Sequence, residues 1–510
     1  MTTIALLLIC ITCINFISAK PAPHASYRLK YVPGISKTPV KSTFIKQSTN
    51  NAGKLYALSS SNYSAPVQLL TLTGTPNEIG HAYGELLAAE INSTYNAWYP
   101  TSNPQLELTL DWLWNCSLRT NTPQSLLDEI NGVQPQSLRT KLIRVMTGST
   151  LPMDSNNINI VIENAIKKHG NISEHCQQTK KDLLNKMIET PAKNKSYGLT
   201  HHCDFFAAWG SKTSDGRLLS TRNLDIKPAT GISKHKLITI YNTTTDKNTY
   251  ATVGFAGYFG ALAGMSNKGI TVSEANLDNG EVSFDGIAWP MRLREILSTA
   301  QSLNDARDIW HSKSNTAAFN FLIASGSEQK AVALETNALF TSDFFGNSSI
   351  ERNATYSCHN GTIMDGHSCS WPQNDGTPVS IGAPLMDAVF RSNHGLSPDI
   401  MQTQEPLWND TVMRYLLLSD RIEEVEGKMD VEEAIGIISL LGIKGNDYGS
   451  CEPSNFLTGD PTHVLSVLYD PTMENMYVAY EEGNMTSGTN ANWRPAACNE
   501  YLWLNMSEWW

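Results

Sequence analysis

Cys203 heads the stretch CDFFAAWGSKTSDGRLLSTRNLD, which collects a thiol, a guanidinium and a carboxylate within 23 residues. A thiolate can attack an amide or ester carbonyl, and an arginine beside it favours that ionised form. The turn signal Ser214-Asp215-Gly216 folds the stretch into a hairpin, which returns Arg222 and Asp225 alongside Cys203. Asp225 could then accept a hydrogen bond from a thiol or an ammonium group at the strand start. A lone cysteine is more often structural, and Arg222 with Asp225 at this spacing would serve equally as a surface ion pair. Two features favour chemistry. The cysteine count leaves a thiol over, and the character of the chain changes at this residue. PAKNKSYGLTHH before it is a polar Pro/Gly-containing linker of the kind where chains are nicked, and the segment after it alternates as strands.

Nine cysteines are present, of which Cys10 and Cys13 lie in MTTIALLLICITCINFISA, an apolar run closed by small residues. That run predicts a secretory signal peptide over 1–19, cut after Ala19. Seven cysteines remain, so in an oxidising compartment one stays unpaired. If it is Cys203, sequence neighbours suggest Cys116–Cys176, Cys358–Cys369 and Cys451–Cys498, among 15 possible pairings. Export would make N-glycosylation available at the sequons beginning at Asn62, Asn92, Asn115, Asn171, Asn194, Asn242, Asn347, Asn353, Asn360, Asn409, Asn484 and Asn505. The expected localisation is secreted or lysosomal.

Several elements must position these residues. Residues 20 to about 65 are rich in Ser, Thr, Pro and Lys and predict a loosely structured lead-in. VQLLTLTG predicts a strand, and PNEIGHAYGELLAAEINSTYNAWY an amphipathic helix, with further helices through Met187. After Cys203 come strands and Gly-rich turns to Asn276. MRLREILSTAQSLNDARDIWHS predicts two helices with Asn304 as the second N-cap. AFNFLIASG and KAVALET are strands, PLWNDTVMRYLLLSDRIEEVEG and DVEEAIGIISLLG helices, and THVLSVLYDPTMENMYVAYEEG a strand pair. The pattern predicts an α+β fold in which two sheets carry helices on their outer faces, a four-layer α/β/β/α sandwich. The expected division is signal 1–19, a mostly helical N-terminal chain 20–202, and a catalytic chain 203–510.

At 510 residues, 41% hydrophobic and 17% charged, the chain can bury a large core, and its net charge of -11 gives no global field for nucleic acid. No segment beyond the first predicts a membrane span. His201 and His202 are adjacent, so on a strand they face opposite ways. With no HExxH or Cys-x-x-Cys, the sequence predicts no metal site and no cofactor. The local signature of a papain-like protease is also missing around Cys203.

The Cys-to-Arg-Asn-x-Asp stretch resembles the opening of the mature chain in cysteine N-terminal-nucleophile (Ntn) hydrolases, the group that holds bile salt hydrolases, penicillin V acylases, acid ceramidases and isopenicillin-N acyltransferases. Its hairpin is a few residues longer than in bile salt hydrolases. SNKGITVSEAN resembles the family's oxyanion segment and implies Asn276 as a donor. FRSNHGLSP resembles the segment of a second asparagine, here Asn393, and Ser419-Asp420-Arg421 the late arginine segment, here Arg421. PNEIGHAYGELLAAEI resembles the prosegment of the acid-ceramidase and acyltransferase branch.

The resemblance implies self-cleavage between His202 and Cys203. The freed α-amine would then serve as base, since it titrates near about 7.7–8.0. Asp225 would hold that amine and Arg222 would stabilise the thiolate. The implied activity is cleavage of an N-acyl bond in a small lipid amide, ceramide-like or N-acylethanolamine-like, through an acyl-Cys203 intermediate, with the two processed chains staying associated. Acyl transfer to an amine, a phospholipase-B-like esterase, and a non-catalytic secreted lipid-binding glycoprotein are the alternatives. Phe205-Phe206, Phe255, Tyr258-Phe259 and Ile287-Ala288-Trp289-Pro290 are candidates for an apolar substrate channel, or for ordinary core.

Overall fold

The structure is a computed structural model. It describes residues 33–60, 63–100, 103–151, 176–181, 202–226, 231–277, 279, 281–283, 285–356, 378–404, 409–441, 462–483 and 493–510. The expectations for the signal peptide, the linker through His201, Asn62, Asn171, Asn194, Asn360, Asn484, Cys358, Cys369 and Cys451 lie outside these residues.

The strands, in chain order, are β1 (Ser42–Gln47), β2 (Gly53–Leu58), β3 (Val67–Gly74), β4 (His202–Ala208), β5 (Leu219–Ile226), β6 (Lys236–Thr243), β7 (Tyr250–Phe255), β8 (Ala263–Ser266), β9 (Ile270–Asn276), β10 (Phe319–Ser325), β11 (Lys330–Thr336), β12 (Thr341–Phe344), the short pair β13 (Thr355–Tyr356) and β14 (Val379–Ser380), then β15 (Ala388–Arg391), β16 (Thr462–Asp470), β17 (Asn475–Tyr480) and β18 (Leu502–Asn505). The longer helices are α1 (Pro76–Leu86), α2 (Ala88–Trp98), α3 (Pro104–Leu113), α4 (Gln124–Gly132), α5 (Gln136–Gly148), α6 (Trp289–Thr299), α7 (Leu303–His311), α8 (Asn409–Glu424) and α9 (Val431–Leu441).

A ten-stranded sheet runs β1-β2-β3-β6-β7-β8-β9-β10-β11-β12, and a six-stranded sheet runs β15-β4-β5-β16-β17-β18. The two face each other where β4 and β5 lie over β9, and Ser220 meets Thr271 there, hydroxyl to hydroxyl at 2.7 Å. Helices α1, α6 and α7 cover the outer face of the large sheet, and α8 and α9 that of the small one. This is the four-layer α/β/β/α sandwich that the sequence predicts. Among the described residues no helix is long and apolar enough to cross a membrane.

The part before the linker is built into the large sheet. β3 joins β6 in parallel, seven residues against seven, from Gln68↔Leu237 to Gly74↔Thr243. Helix α1 starts at a capping box in which Thr75 and Glu78 satisfy each other's backbone amides. It crosses α4 so closely that a Cβ on Gly80 would stand 1.9 Å from the Glu129 carbonyl oxygen, and one on Gly132 2.1 Å from that of Asn77. Glycine is what permits the two backbones to touch.

Three expectations change. The lead-in is not loose throughout, because β1 and β2 form an antiparallel hairpin on the sheet edge, with Leu55 and Leu58 turned into the core. The single helix after β3 breaks at Leu87 into α1 and α2. The N-cap of α7 is Ser302, whose hydroxyl accepts the Asp305 amide at 3.0 Å, not Asn304. The sequons at Asn115, Asn242, Asn347 and Asn353 are exposed, and those at Asn92 and Asn505 half-buried; Asn409 opens α8. Cys116 and Cys176 form a disulfide and Cys498 is also disulfide-bonded, while among the described residues Cys203 carries a free thiol.

Candidate active site

Cys203 is the second residue of β4 and is completely buried. Cross-strand pairing sets Cys203 opposite Leu224 and His202 opposite Asp225. Alternation along the strands then sorts the neighbours onto two faces. Cys203, Leu224 and Arg222 turn toward the other sheet, and Asp204, Asn223 and Asp225 toward the helices α8 and α9.

On the inter-sheet face, Arg222 reaches β9. Its Nε donates to the Glu274 carbonyl at 3.2 Å and its Nη2 to the Glu274 carboxylate, so one buried ion pair ties the two sheets together beside the thiol. Burial works against the charge on Arg222, but the Glu274 carboxylate, Cys203 and Tyr469 together outweigh it and hold the guanidinium protonated. Burial also pushes the carboxyl of Glu274 up, and Arg222 opposes that rise. The thiol of Cys203 is pushed well up, first by burial and then by the Glu274 carboxylate. Arg222 and a hydrogen bond from the Asp225 backbone amide pull the other way.

At the mouth of β4 the backbone is held by an asparagine and an arginine. The Cys203 amide donates to Asn393 Oδ1 at 2.9 Å. Arg414, on α8 and fully buried, donates from Nη1 to the Cys203 carbonyl and from Nη2 to Asn393 Oδ1, both at 2.7 Å. Its Nε meets Asp410 Oδ2 at 3.0 Å, and Asp204 Oδ2 lies 3.5 Å from Nη1. Asn393 Nδ2 donates to the Asn276 carbonyl at 2.9 Å and to Asn276 Oδ1 at 2.6 Å. Both ends of the Asn393 amide are therefore committed. In this arrangement it holds Asn276 and the Cys203 backbone.

Five of the six residues expected from sequence thus converge: Cys203, Arg222, Asp225, Asn276 and Asn393. Arg421 does not join them. It lies two turns further along α8, on the same helix face and about 10 Å along the axis from Arg414, where it pairs with Glu424. The arginine at the site is Arg414. A seven-residue spacing puts both on one face, so the helical pattern alone could not choose between them.

Sequence reasoning also missed Glu274, Asp204 and His463. Glu274 had a signal, since it stands two residues before Asn276 on β9 and so on the same face. His463 is brought in by register across three strands and had none. Among the described residues no cluster of His, Cys, Asp and Glu is arranged to hold a metal ion.

The apolar candidates Phe205, Phe206, Phe255, Tyr258, Phe259, Ile287, Ala288 and Trp289 are all buried in the main core. Residues from before the linker touch this group. Trp289 Nε1 donates to the Ser149 carbonyl at 3.1 Å, the Gly257 amide to Tyr83 Oη at 3.1 Å, and Thr94 Oγ1 to the Ala256 carbonyl at 2.6 Å.

Residues 211–363 match the family model of acyl-coenzyme A:6-aminopenicillanic acid acyl-transferase. An uncharacterised protein of Archaeoglobus fulgidus is 24% identical over 244 residues, which are 47% of this chain. The match spans about a third (37%) of that relative's length. Among solved structures, an N-acylethanolamine-hydrolyzing acid amidase ortholog from Caenorhabditis elegans aligns at 13% identity with a TM-score of 0.35, covering 53% of this chain and 93% of its own. A variant of the conjugated bile acid hydrolase from Clostridium perfringens aligns at 13% and 0.34, covering 60% and 93%. Penicillin V acylase from Agrobacterium tumefaciens aligns at 11% and 0.29, covering 55% and 83%.

Proposed function

From the premise of a chain in the Ntn-hydrolase family, we propose that it is a self-processing cysteine amidase whose nucleophile is Cys203, made N-terminal by scission of the His202–Cys203 bond. The observation that carries this reading is the free, buried thiol of Cys203 at the head of β4, hydrogen-bonded by the Asp225 backbone amide and flanked by the Arg222–Glu274 pair.

In processing, Sγ attacks the His202 carbonyl carbon. A C–S bond forms, the C–N bond breaks, and the thiol proton passes to the departing nitrogen, which becomes the α-amine. Water then opens the thioester, giving the His202 carboxylate and returning a proton to sulfur. In turnover the α-amine takes the thiol proton and the thiolate attacks the substrate amide. The amine product leaves with that proton, and water hydrolyses the acyl-cysteine to a carboxylic acid. Arg222 stabilises the thiolate, Asn276 donates to the oxyanion, and Asn393 and Arg414 hold Asn276 and the start of β4 in place.

The substrate class we propose is a linear N-acyl lipid amide, ceramide-like or N-acylethanolamine-like, met in a secreted or lysosomal setting. Phe205, which alternation along β4 puts on the same face as Cys203, supports an apolar group as the one bound there. A second reading, transfer of the acyl group to an amine acceptor, is favoured by the acyl-transferase family model that matches residues 211–363.

The test is to read the N-terminal residue of the catalytic chain and then assay wild type and Cys203→Ala on ceramide, N-acylethanolamine, lysophospholipid, conjugated bile acid, penicillin V and a peptide, with and without an amine acceptor. A chain beginning at Cys203 and Cys203-dependent release of fatty acid from the first two support the proposal. Product that forms only with the acceptor selects the transferase. Turnover of lysophospholipid alone selects the esterase. An uncut chain that is fully active refutes the reading.

A further inference from the structure

His463 is the least expected residue near the site. It is fully buried on β16, and neither ring nitrogen has a hydrogen-bond partner among the described residues. Nε2 stands 3.1 Å from Asp225 Oδ1 and 3.7 Å from Asp204 Oδ2. A buried imidazole without hydrogen bonds costs stability, so its presence between two carboxylates calls for a reason.

The register supplies a second observation. β16 pairs with β5 as Ser466↔Asn223 and Leu465↔Leu224, and the next pair is His463↔Asp225. Val464 is the extra residue of a β-bulge. Without it, Val464 would face Asp225. The bulge therefore puts a histidine in the place of a valine, and bulges that re-aim one side chain gather beside active sites. The result is a single row across three strands, His202 on β4, Asp225 on β5 and His463 on β16, with the bond to be cut at one end.

We infer that His463 is a positioning residue for the self-cleavage and the turnover of Cys203. It fixes the Asp225 carboxylate from the β16 side and, through Asp225, the backbone amide that hydrogen-bonds the thiol. This rests on the proposed Cys203 chemistry. Arg222 and Arg414 are engaged elsewhere, by Glu274 and by Asp410 with the Cys203 carbonyl and Asn393 Oδ1. Among the described residues, His463 faces Asp225 across the sheet. Its Nε2 stands within hydrogen-bond distance of Asp225 Oδ1 and can donate there. Scission creates an ammonium group at the start of β4, and Asp225 must then stay in register to receive it.

The test compares His463→Leu, His463→Gln and His463→Asn in the full-length chain. Self-cleavage is followed by electrophoresis, and kcat and KM are measured on the processed fraction. The amide nitrogen of glutamine falls near the histidine Nε2 position, and that of asparagine near Nδ1. His463→Leu is expected to slow self-cleavage at least tenfold and to lower kcat with KM unchanged. His463→Gln should recover both to within about threefold, and His463→Asn should not.

Should the leucine variant not fold, the contrast between glutamine and asparagine decides alone, and equal behaviour of those two overturns the inference. A folded His463→Leu that matches wild type overturns it as well. In an Asp225→Asn background the His463 substitutions should add nothing further, and a full additional loss there would show that His463 does not act through Asp225. A wild-type chain that is never cut and is active without Cys203 would instead strike down the proposed function, so the two failures are told apart.

Discussion

Replacing Arg414 with methionine separates the arginine the structure places at the site from the one the sequence pattern favours. The substitution keeps most of the side-chain volume and removes every donor. The Cys203 carbonyl and Asn393 Oδ1 each lose a bond of 2.7 Å, and Asp204, fully buried, loses a guanidinium at 3.5 Å. Breaking a buried charge pair from one side typically costs about 3–5 kcal/mol. We expect the low end here, about 3 kcal/mol, because Asp204 Oδ1 keeps the Asn223 amide at 2.7 Å and Asn393 Oδ1 keeps the Cys203 amide. Asn393 also orients Asn276, so kcat should fall about 10²–10³-fold, the scale of a lost oxyanion donor. Arg421→Met removes a partly exposed pair with Glu424 and should cost at most about 1 kcal/mol, with kcat within twofold of wild type. Denaturant unfolding gives the first quantity, and initial rates on the processed enzyme the second. If Arg421→Met loses rate as Arg414→Met does, or if Arg414→Met keeps wild-type kcat/KM, the assignment of Arg414 is refuted.

Cys203→Ala should leave a single uncut chain with no turnover, while wild type resolves into fragments of residues 20–202 and 203–510 on reducing, denaturing electrophoresis after glycan removal. Asn276→Ala should be largely cut yet lose about 10²–10³-fold in kcat, since the chain itself holds the bond being cut whereas a free substrate must be stabilised at each turnover; wild-type kcat/KM would remove Asn276 from the oxyanion role. The fragments should co-elute under native conditions, because β3 and β6 share a ladder and Arg294 on α6 makes a buried, two-bond pair with Glu129 on α4, Nη1–Oε1 at 3.1 Å and Nη2–Oε2 at 2.8 Å; Glu129→Ala should weaken that association, and separation of the wild-type fragments without denaturant would contradict it. Burial raises the carboxyl of Glu481 to about 8 from an ordinary 4.5. Its stabilising contribution is therefore complete below about 4.5 and is lost as pH rises through 8, at up to about 1.4 kcal/mol per pH unit. Burial, with Arg391 and Arg414, holds His394 down near 3 from 6.5, so its contribution is present above 6.5 and lost as pH falls; Glu481→Gln, compared with wild type by melting between pH 6.5 and 8, should flatten the decline there.

The sandwich was legible because each of its layers announces itself locally. VQLLTLTG reads as a strand and is β3, and THVLSVLYDPTMENMYVAYEEG reads as a strand pair and gives β16 and β17. The β1–β2 hairpin escaped because its outer strand is exposed along its whole length, and a strand with no buried face leaves no alternation to read. Cys203, Arg222 and Asp225 were legible because one hairpin carries all three. Glu274 and Arg414 come from a distant strand and helix, and only packing brings them to the thiol. His463 depends on a one-residue bulge, and nothing in the composition of THVLS marks where a ladder slips.

The environment of the thiol bears on the order of events. Burial is the largest cause holding the Cys203 thiol protonated, and the Glu274 carboxylate adds to it, so in the uncut chain the group is a poor nucleophile toward anything that must diffuse in. Its own preceding carbonyl needs no diffusion, and a well-placed intramolecular reaction can gain about 7–11 kcal/mol over its bimolecular counterpart. On the proposed reading the chain is therefore its own first substrate. The scission then supplies what the precursor lacks, an amine titrating near about 7.7–8.0 next to sulfur. Arg222 and Glu274 both come after the cut in sequence and lie on different sheets, so the pair survives it. The thiolate-stabilising charge is in place beforehand, and the missing base is made by the reaction that needs it least.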